Sequence, residues 1–155
     1  MIIDERTVFW VDDEPNLMDS ELFDLINNGF TPLSFQWVGA ALSWLVEHKE
    51  QIQRLRAIVV DVQMPSRGDP RFTSESGVPV GVRFCQALLE YDAVWDRARP
   101  KIVLYTRLPG SSLAAKHADN FAESNGLQFR KKSAVSRVAI ELIKEDLFRD
   151  QNGQG

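Results

Sequence analysis

Cysteine is nearly absent from this chain: Cys85 stands alone, which excludes an internal disulfide and fits a reducing compartment. Its plainest reading is a small buried hydrophobe on a helix. Histidine is scarce as well. His48 and His117 have no ligand partner near them in sequence and read as a surface residue and a helix-face residue. No apolar run could span a bilayer, and no N-terminal stretch has the charged start and apolar middle of a signal peptide. The expected compartment is therefore the cytoplasm, with no membrane partner. Positive charge is in deficit, 18 Lys and Arg against 22 Asp and Glu, and a net charge of −4 argues against a nucleic-acid-binding surface. No internal repeat and no second domain can be seen. A chain of 155 residues fits one domain. It can bury roughly 70% of its unfolded surface without a disulfide or metal to staple it. That domain is expected over residues 1–150, with 151–155 a frayed tail.

What the chain does have is a set of short, solid apolar runs that end in polar chemistry. Val8-Phe9-Trp10-Val11 runs into Asp12-Asp13, Ile58-Val59-Val60 into Asp61, and Ile102-Val103-Leu104-Tyr105 into Thr106. Each run is too short for a typical helix and rich in β-branched and aromatic residues, as in strands buried on both faces of a parallel sheet. Strands are expected over 7–11, 33–38, 57–61, 101–105 and 127–131. Helical patterns lie between them, which is the βαβ signature. The first helix starts at Pro15, carries Leu17, Met18, Leu22, Leu25 and Ile26 inward, and stops at Asn28-Gly29. The second turns Ala41, Leu42, Leu45 and Val46 inward and runs to about Gln53. The third, over 81–91, has Val82, Cys85, Leu88 and Leu89 on one side. The fourth, over 112–124, repeats Leu113, His117, Ala118, Phe121 and Ala122, and Asn125-Gly126 caps it. A fifth is expected over 135–148. Between strand three and helix three, residues 62–80 hold Pro65, Gly68, Pro70, Gly77 and Pro79 and show no period. Such a long loop is uncommon in a compact domain unless it has a job.

The second and fifth strands alternate apolar with polar residues and belong at the edges; the other three are solidly apolar and belong in the middle. With right-handed crossovers the order 2-1-3-4-5 satisfies this. The expected fold is thus α/β, a flavodoxin-like doubly wound five-stranded parallel sheet with helices on both faces, whose switch point lies between the first and third strands. Asp12, Asp13, Asp61 and Thr106 should then meet at the carboxyl edge of the sheet, where such folds bind ligands. Three carboxylates packed together repel one another and raise their own pKa values. Such a cluster implies a bound cation, and an all-oxygen site suits Mg²⁺.

These pieces together resemble the receiver domain of bacterial response regulators, the CheY-like family. The match runs from about Val8 to Phe148 and rests on Val11-Asp12-Asp13-Glu14-Pro15, Val60-Asp61-Val62-Gln63-Met64-Pro65, Leu104-Tyr105-Thr106 and Phe129-Arg130-Lys131-Lys132, in that order. The resemblance implies that Asp61 is a phosphoacceptor taking its phosphoryl group from a phosphohistidine. It implies that Asp12, Asp13, Asp61 and the backbone carbonyl of Gln63 hold Mg²⁺, and that Lys132 pairs with a phosphoryl oxygen. Lys131, its neighbour, is the alternative. Thr106 would swing its hydroxyl onto the phosphoryl group, and Phe129 would turn into the space vacated. The signal would pass to the face made by the fourth helix, fifth strand and fifth helix. Partners on this reading are a sensor histidine kinase or phosphotransfer protein, an unidentified downstream protein and, through the same face, a second copy of the chain.

The sequence departs from the family pattern in three places. Ser133 stands where the family usually has a proline. Arg107 follows Thr106 where a small residue is usual; with Gln63 and Leu108 it is expected to govern access and the lifetime of the phosphoryl group. The 62–80 loop is longer than usual. Its place beside Asp61 suggests cover for the site or a partner contact, and the plain alternative is a tolerated surface insertion. The length leaves no room for an output domain after the fifth helix, so a stand-alone receiver is expected, one that catalyses at most its own phosphorylation and dephosphorylation. Two other readings compete. One is a pseudo-receiver, a phosphorylation-independent interaction module, for which Ser133 and Arg107 argue. The other is a Mg²⁺-dependent phosphatase of the haloacid dehalogenase type. That type needs a second acid two residues after the nucleophile, where Asp61 has Gln63.

Overall fold

A computed structural model describes residues 2–73, 77–90 and 100–131. Among these described residues five strands and four α-helices alternate: β1 Thr7–Val11, α1 Pro15–Asn27, β2 Thr31–Phe35, α2 Val38–Glu47, β3 Ala57–Asp61, α3 Val80–Glu90, β4 Lys101–Thr106, α4 Leu113–Asn125 and β5 Gln128–Lys131. The strands form one parallel sheet in the order β2-β1-β3-β4-β5, as the strand patterns require. Every residue of β1 and β3 is buried, whereas β2 and β5 sit at the edges with half-covered side chains. The expected fifth helix, Lys132, Ser133 and the domain boundary at 150 lie outside the described residues.

Alternation along the strands divides the core in two. Phe9, Val11, Ile58, Val60, Ile102 and Leu104 point to one face and pack with Leu42 and Leu45 of α2, Phe84 and Leu88 of α3, and Ala118 and Ala122 of α4. Val8, Trp10, Val59, Val103 and Tyr105 point to the other and pack with Leu25 and Leu22 of α1 and with Phe30. Fully burying one such large side chain stabilises the fold by about 1.5–3 kcal/mol.

Several element details differ from the sequence reading. β2 starts two residues and ends three residues before the expected 33–38. Val11 pairs with Phe35 as the last rung, and the Asp12 N–H still reaches the Phe35 carbonyl at 3.0 Å. Beyond it β1 becomes the acidic turn, so β2 has no partner, and Trp37 and Val38 become the cap and first residue of α2. Pro32 is tolerated because β2 is an edge. α2 ends at Glu47 rather than near Gln53, because His48, Lys49, Glu50 and Gln51 offer no apolar face; a 3₁₀ turn over Ile52–Arg54 then buries Ile52. His48 is half-buried, its ring stacked on Trp44 at 4.0 Å. Three residues assigned to buried stripes face outward: Ile26, Val46 and Leu113. His117 is also exposed, and α4 instead buries its small residues Ala115, Ala118 and Ala122. The Ser112 hydroxyl accepts the Ala115 N–H and Gly126 closes the helix at φ 69°, so both ends are capped. Cys85 is buried in α3, and desolvation pushes its thiol well above the usual range.

Residues 62–73, after β3, fold back onto the helices. Phe72 is fully buried, its ring 6.3 Å from that of Phe84 in α3. The Asp69 carboxylate lies against Gly39 in the first turn of α2, and the Arg67 guanidinium sits 5.3 Å from the Trp37 ring centroid. Arg71 ties back to Asp69 at 2.7 Å, holding its carboxyl below the usual carboxylate range. Residues 62–73 thus leave the end of β3 and dock on α2 and α3. No described helix is long and apolar enough to cross a membrane.

Candidate functional site

Three turns at the carboxyl edge assemble the site. At the end of β1, Asp12 is fully buried and its Oδ1 accepts the Glu14 N–H at 2.9 Å. That bond folds the chain back so that Pro15 can open α1. Asp13 follows, half-buried. At the end of β3, Asp61 is 5% exposed, and its Oδ1 accepts the Gln63 N–H at 3.3 Å. α3 starts against this turn, where a β-carbon on Gly81 would collide with the backbone of Asp61 and Val62, so only glycine permits the approach. The Gly81 N–H donates to the Val62 carbonyl at 3.0 Å, which anchors the turn. At the end of β4, Thr106 is buried and its Oγ1 accepts the Leu108 N–H at 3.0 Å.

β1 pairs with β3 in parallel, so the two acidic turns are neighbours. Carboxylate oxygens of Asp12, Asp13 and Asp61 all lie within 4.8 Å of one another. The pairing of Asp61 with Tyr105 places Thr106 one residue further along the same edge. Burial pushes the Asp61 carboxyl up to about 8, with the Asp12 charge adding to it. Burial also raises Asp13, which feels Asp12 and Glu14 as well. This concentration of negative charge is unfavourable by itself, and an all-oxygen donor set of this spacing fits a small divalent cation such as Mg²⁺. The residues present therefore fit the group that the sequence reading assigns to them.

Of the remaining candidates, Phe129 is half-buried on β5 and packs against the larger core. Gln63 is exposed beside Asp61, and Arg107 and Leu108 are half-buried after β4. Lys131 is in register with Thr106, and its ammonium runs across to Gly110 in the β4–α4 loop.

Sequence reasoning missed two contributors. Trp10 and Tyr105 do more than fill the core. The Trp10 Nε1–H donates to the Tyr105 hydroxyl at 3.1 Å, and the Tyr105 O–H donates to Asp12 Oδ2. Arg107, expected to act on access, places Nη2 3.3 Å from the same oxygen. Desolvation works against the Arg107 charge, but Asp12, with Tyr105 and Asp61, outweighs it and holds the guanidinium above its usual pKa. Burial likewise raises the Tyr105 phenol, as do Asp12 and Asp61, so it remains a donor. A signal was available. Trp10 and Asp12 share strand parity, and a buried phenol or indole needs a polar partner.

No protein-family model matches the sequence, and no curated protein does. Solved structures do match. A CheY-like response regulator receiver domain protein from Methanospirillum hungatei superposes with a TM-score of 0.59 at 19% identity, covering 96% of this chain and 98% of that one. The beryllofluoride-activated NtrC4 receiver domain dimer matches with a TM-score of 0.61 at 21% identity, over 90% of this chain and 94% of that one. The response regulator TrrA from Thermotoga maritima, solved in complex with Mg²⁺ and beryllofluoride, gives 0.56 at 19% identity, over 90% and 96%. The chain has the fold of CheY-like receiver domains over nearly its whole length.

Proposed function

We propose that this receiver-fold chain is a two-component response regulator that accepts a phosphoryl group on Asp61. The observation that carries the proposal is the meeting of Asp12, Asp13 and Asp61 within 4.8 Å at the strand ends, with Thr106 closing the next strand. An Asp61 carboxylate oxygen attacks the phosphorus of a phosphohistidine on a sensor histidine kinase or phosphotransfer protein. A P–O bond forms, the P–N bond breaks, and the histidine leaves on the donor. Asp12, Asp13, Asp61 and the Gln63 backbone carbonyl would hold Mg²⁺. Bound there, the cation supplies charge neutralisation for the transferring phosphoryl group.

The chain's own residues do the rest. The Gln63 N–H and the Gly81 contact hold Asp61 in place. Ionised, Asp61 is the nucleophile; burial and the Asp12 charge disfavour that ion and hold the carboxyl up at about 8. The Thr106 hydroxyl accepts from Leu108 and still has its O–H to donate in a hydrogen bond to the phosphoryl group once that group arrives. Phe129, half-buried beside α4, follows it inward, and Lys132 or Lys131 pairs with a phosphoryl oxygen. The altered α4–β5 face then binds a downstream protein or a second copy of the chain. The protein turns over no other substrate, catalyses at most its own phosphorylation and dephosphorylation, and acts in the cytoplasm.

Intact-protein mass after incubation with acetyl phosphate and Mg²⁺ tests this. The expected result is a gain of one phosphoryl group that Asp61→Ala abolishes. No gain in the wild-type protein would sink the phosphoacceptor and leave a phosphorylation-independent interaction module.

A further inference from the structure

Asp12 is engaged more heavily than its partners in the cluster. Its Oδ1 accepts the Glu14 N–H at 2.9 Å. Its Oδ2 accepts the Tyr105 O–H and Arg107 Nη2, the latter at 3.3 Å. Tyr105 is itself pinned, by the Trp10 indole N–H at 3.1 Å and by an edge-on ring contact of 5.7 Å. The Arg107 guanidinium lies 5.9 Å from the Tyr105 ring centroid, so the two side chains reach Asp12 as a stacked pair. Phosphoryl transfer to Asp61 does not itself require a tyrosine or an arginine at Asp12.

An oxygen that already accepts two hydrogen bonds, one from a cation, has little left to offer a divalent ion, and the Arg107 charge repels that ion directly. We propose that Tyr105 and Arg107 form a latch on Asp12 that competes with Mg²⁺ and sets the affinity of the site for it. This rests on the phosphoacceptor reading. The two parts of the latch differ in what they can do. The Arg107 side chain is 29% exposed and can leave toward solvent, whereas Tyr105 is fully buried and cannot. Arg107 is therefore the part that opens, and Tyr105 is a positioning residue that keeps Oδ2 turned toward the arginine.

The test is a Mg²⁺ titration followed by NMR, using the amide shifts of Glu14 and Gln63 and the Trp10 indole N–H, on the wild-type chain, Arg107→Met and Tyr105→Phe. The amide spectrum reports in each case whether the variant is folded. Arg107→Met should bind Mg²⁺ about tenfold more tightly, the factor a charge-assisted hydrogen bond of about 1.4 kcal/mol carries. Tyr105→Phe should tighten binding by a smaller factor. The wild-type indole resonance should move as the ion loads, because its acceptor Tyr105 is bonded to a ligand. Tighter binding by Arg107→Met, or binding by the variants where the wild type shows none, supports the latch. Wild-type binding that Arg107→Met leaves unchanged or weakens overturns the latch and leaves the phosphoacceptor reading standing. No binding by any of the three proteins overturns both.

Discussion

On one face of the sheet, Phe9, Val11, Ile58, Val60 and Leu104 make an apolar layer under α2, α3 and α4. On the other, the same strands carry Trp10, Asp12, Asp61 and Tyr105 toward the acidic edge. The two sets alternate residue by residue, so strand parity sends Phe9 and Val11 under the helices and Trp10 and Asp12 toward the site. The strand ends gather three carboxylates, a phenol and a guanidinium. Trp10 and Tyr105 serve stability and site alike, because they pack in the second core cluster and hydrogen-bond toward Asp12.

The largest effect that would break this comparison is expected on the apolar face. Phe9 is fully buried, with its ring 4.9 Å from Phe35. Phe9→Ala should cost about 3–5 kcal/mol in urea unfolding. It should leave Mg²⁺ affinity unchanged in the folded fraction; an altered affinity would mean that the two faces are coupled.

A smaller effect, opposite in sign, is expected at the acidic edge. In metal-free protein the Asp61 carboxyl is raised to about 8 by burial and by Asp12. Between its ordinary value near 4 and about 8, the native state holds a proton that the unfolded chain has lost. Stability therefore falls as pH rises through that window, and Asp61→Asn removes the loss. The variant should exceed the wild type by on the order of a few kcal/mol at pH 8.5 in chelator, with the gap closing toward pH 5. Parallel stability curves for the two proteins would show that Asp61 ionises freely. The smallest effect sharpens the comparison from outside both faces. Ser112→Ala, which removes the N-cap of α4, should cost about 1 kcal/mol by thermal unfolding and leave cation binding unchanged.

Much of this was legible in the chain. The solid runs ending in Asp12-Asp13, Asp61 and Thr106 placed β1, β3 and β4 in the sheet centre, and parallel geometry then brought their ends together. Boundaries set by tertiary pairing were less legible. The end of β2 depends on where β1 ceases to be a strand, and the end of α2 on the polar stretch after Glu47. Helix faces failed where a large residue pointed outward, as Ile26 does on α1 and as Leu113 does on α4, which packs through alanines. Proline and glycine marked residues 62–80 as a loop, but whether Phe72 would find a pocket against Phe84 was not written in any period. The Trp10–Tyr105–Asp12 chain escaped notice because hydrophobic patterning treats tryptophan and tyrosine as bulk, although each carries a donor that a buried site must satisfy.

On the proposed function Asp61 receives a phosphoryl group and the event reaches Thr106. Beryllofluoride with Mg²⁺ mimics the acyl phosphate, and NMR reads both halves at once: a bound ¹⁹F signal, and the amide of Leu108, whose N–H donates to Thr106 Oγ1 at 3.0 Å in this structure. A bound ¹⁹F signal and a shifted Leu108 amide are expected in the wild-type protein, with neither in Asp61→Asn. A bound signal that survives Asp61→Asn, or no signal at saturating Mg²⁺, would contradict that function.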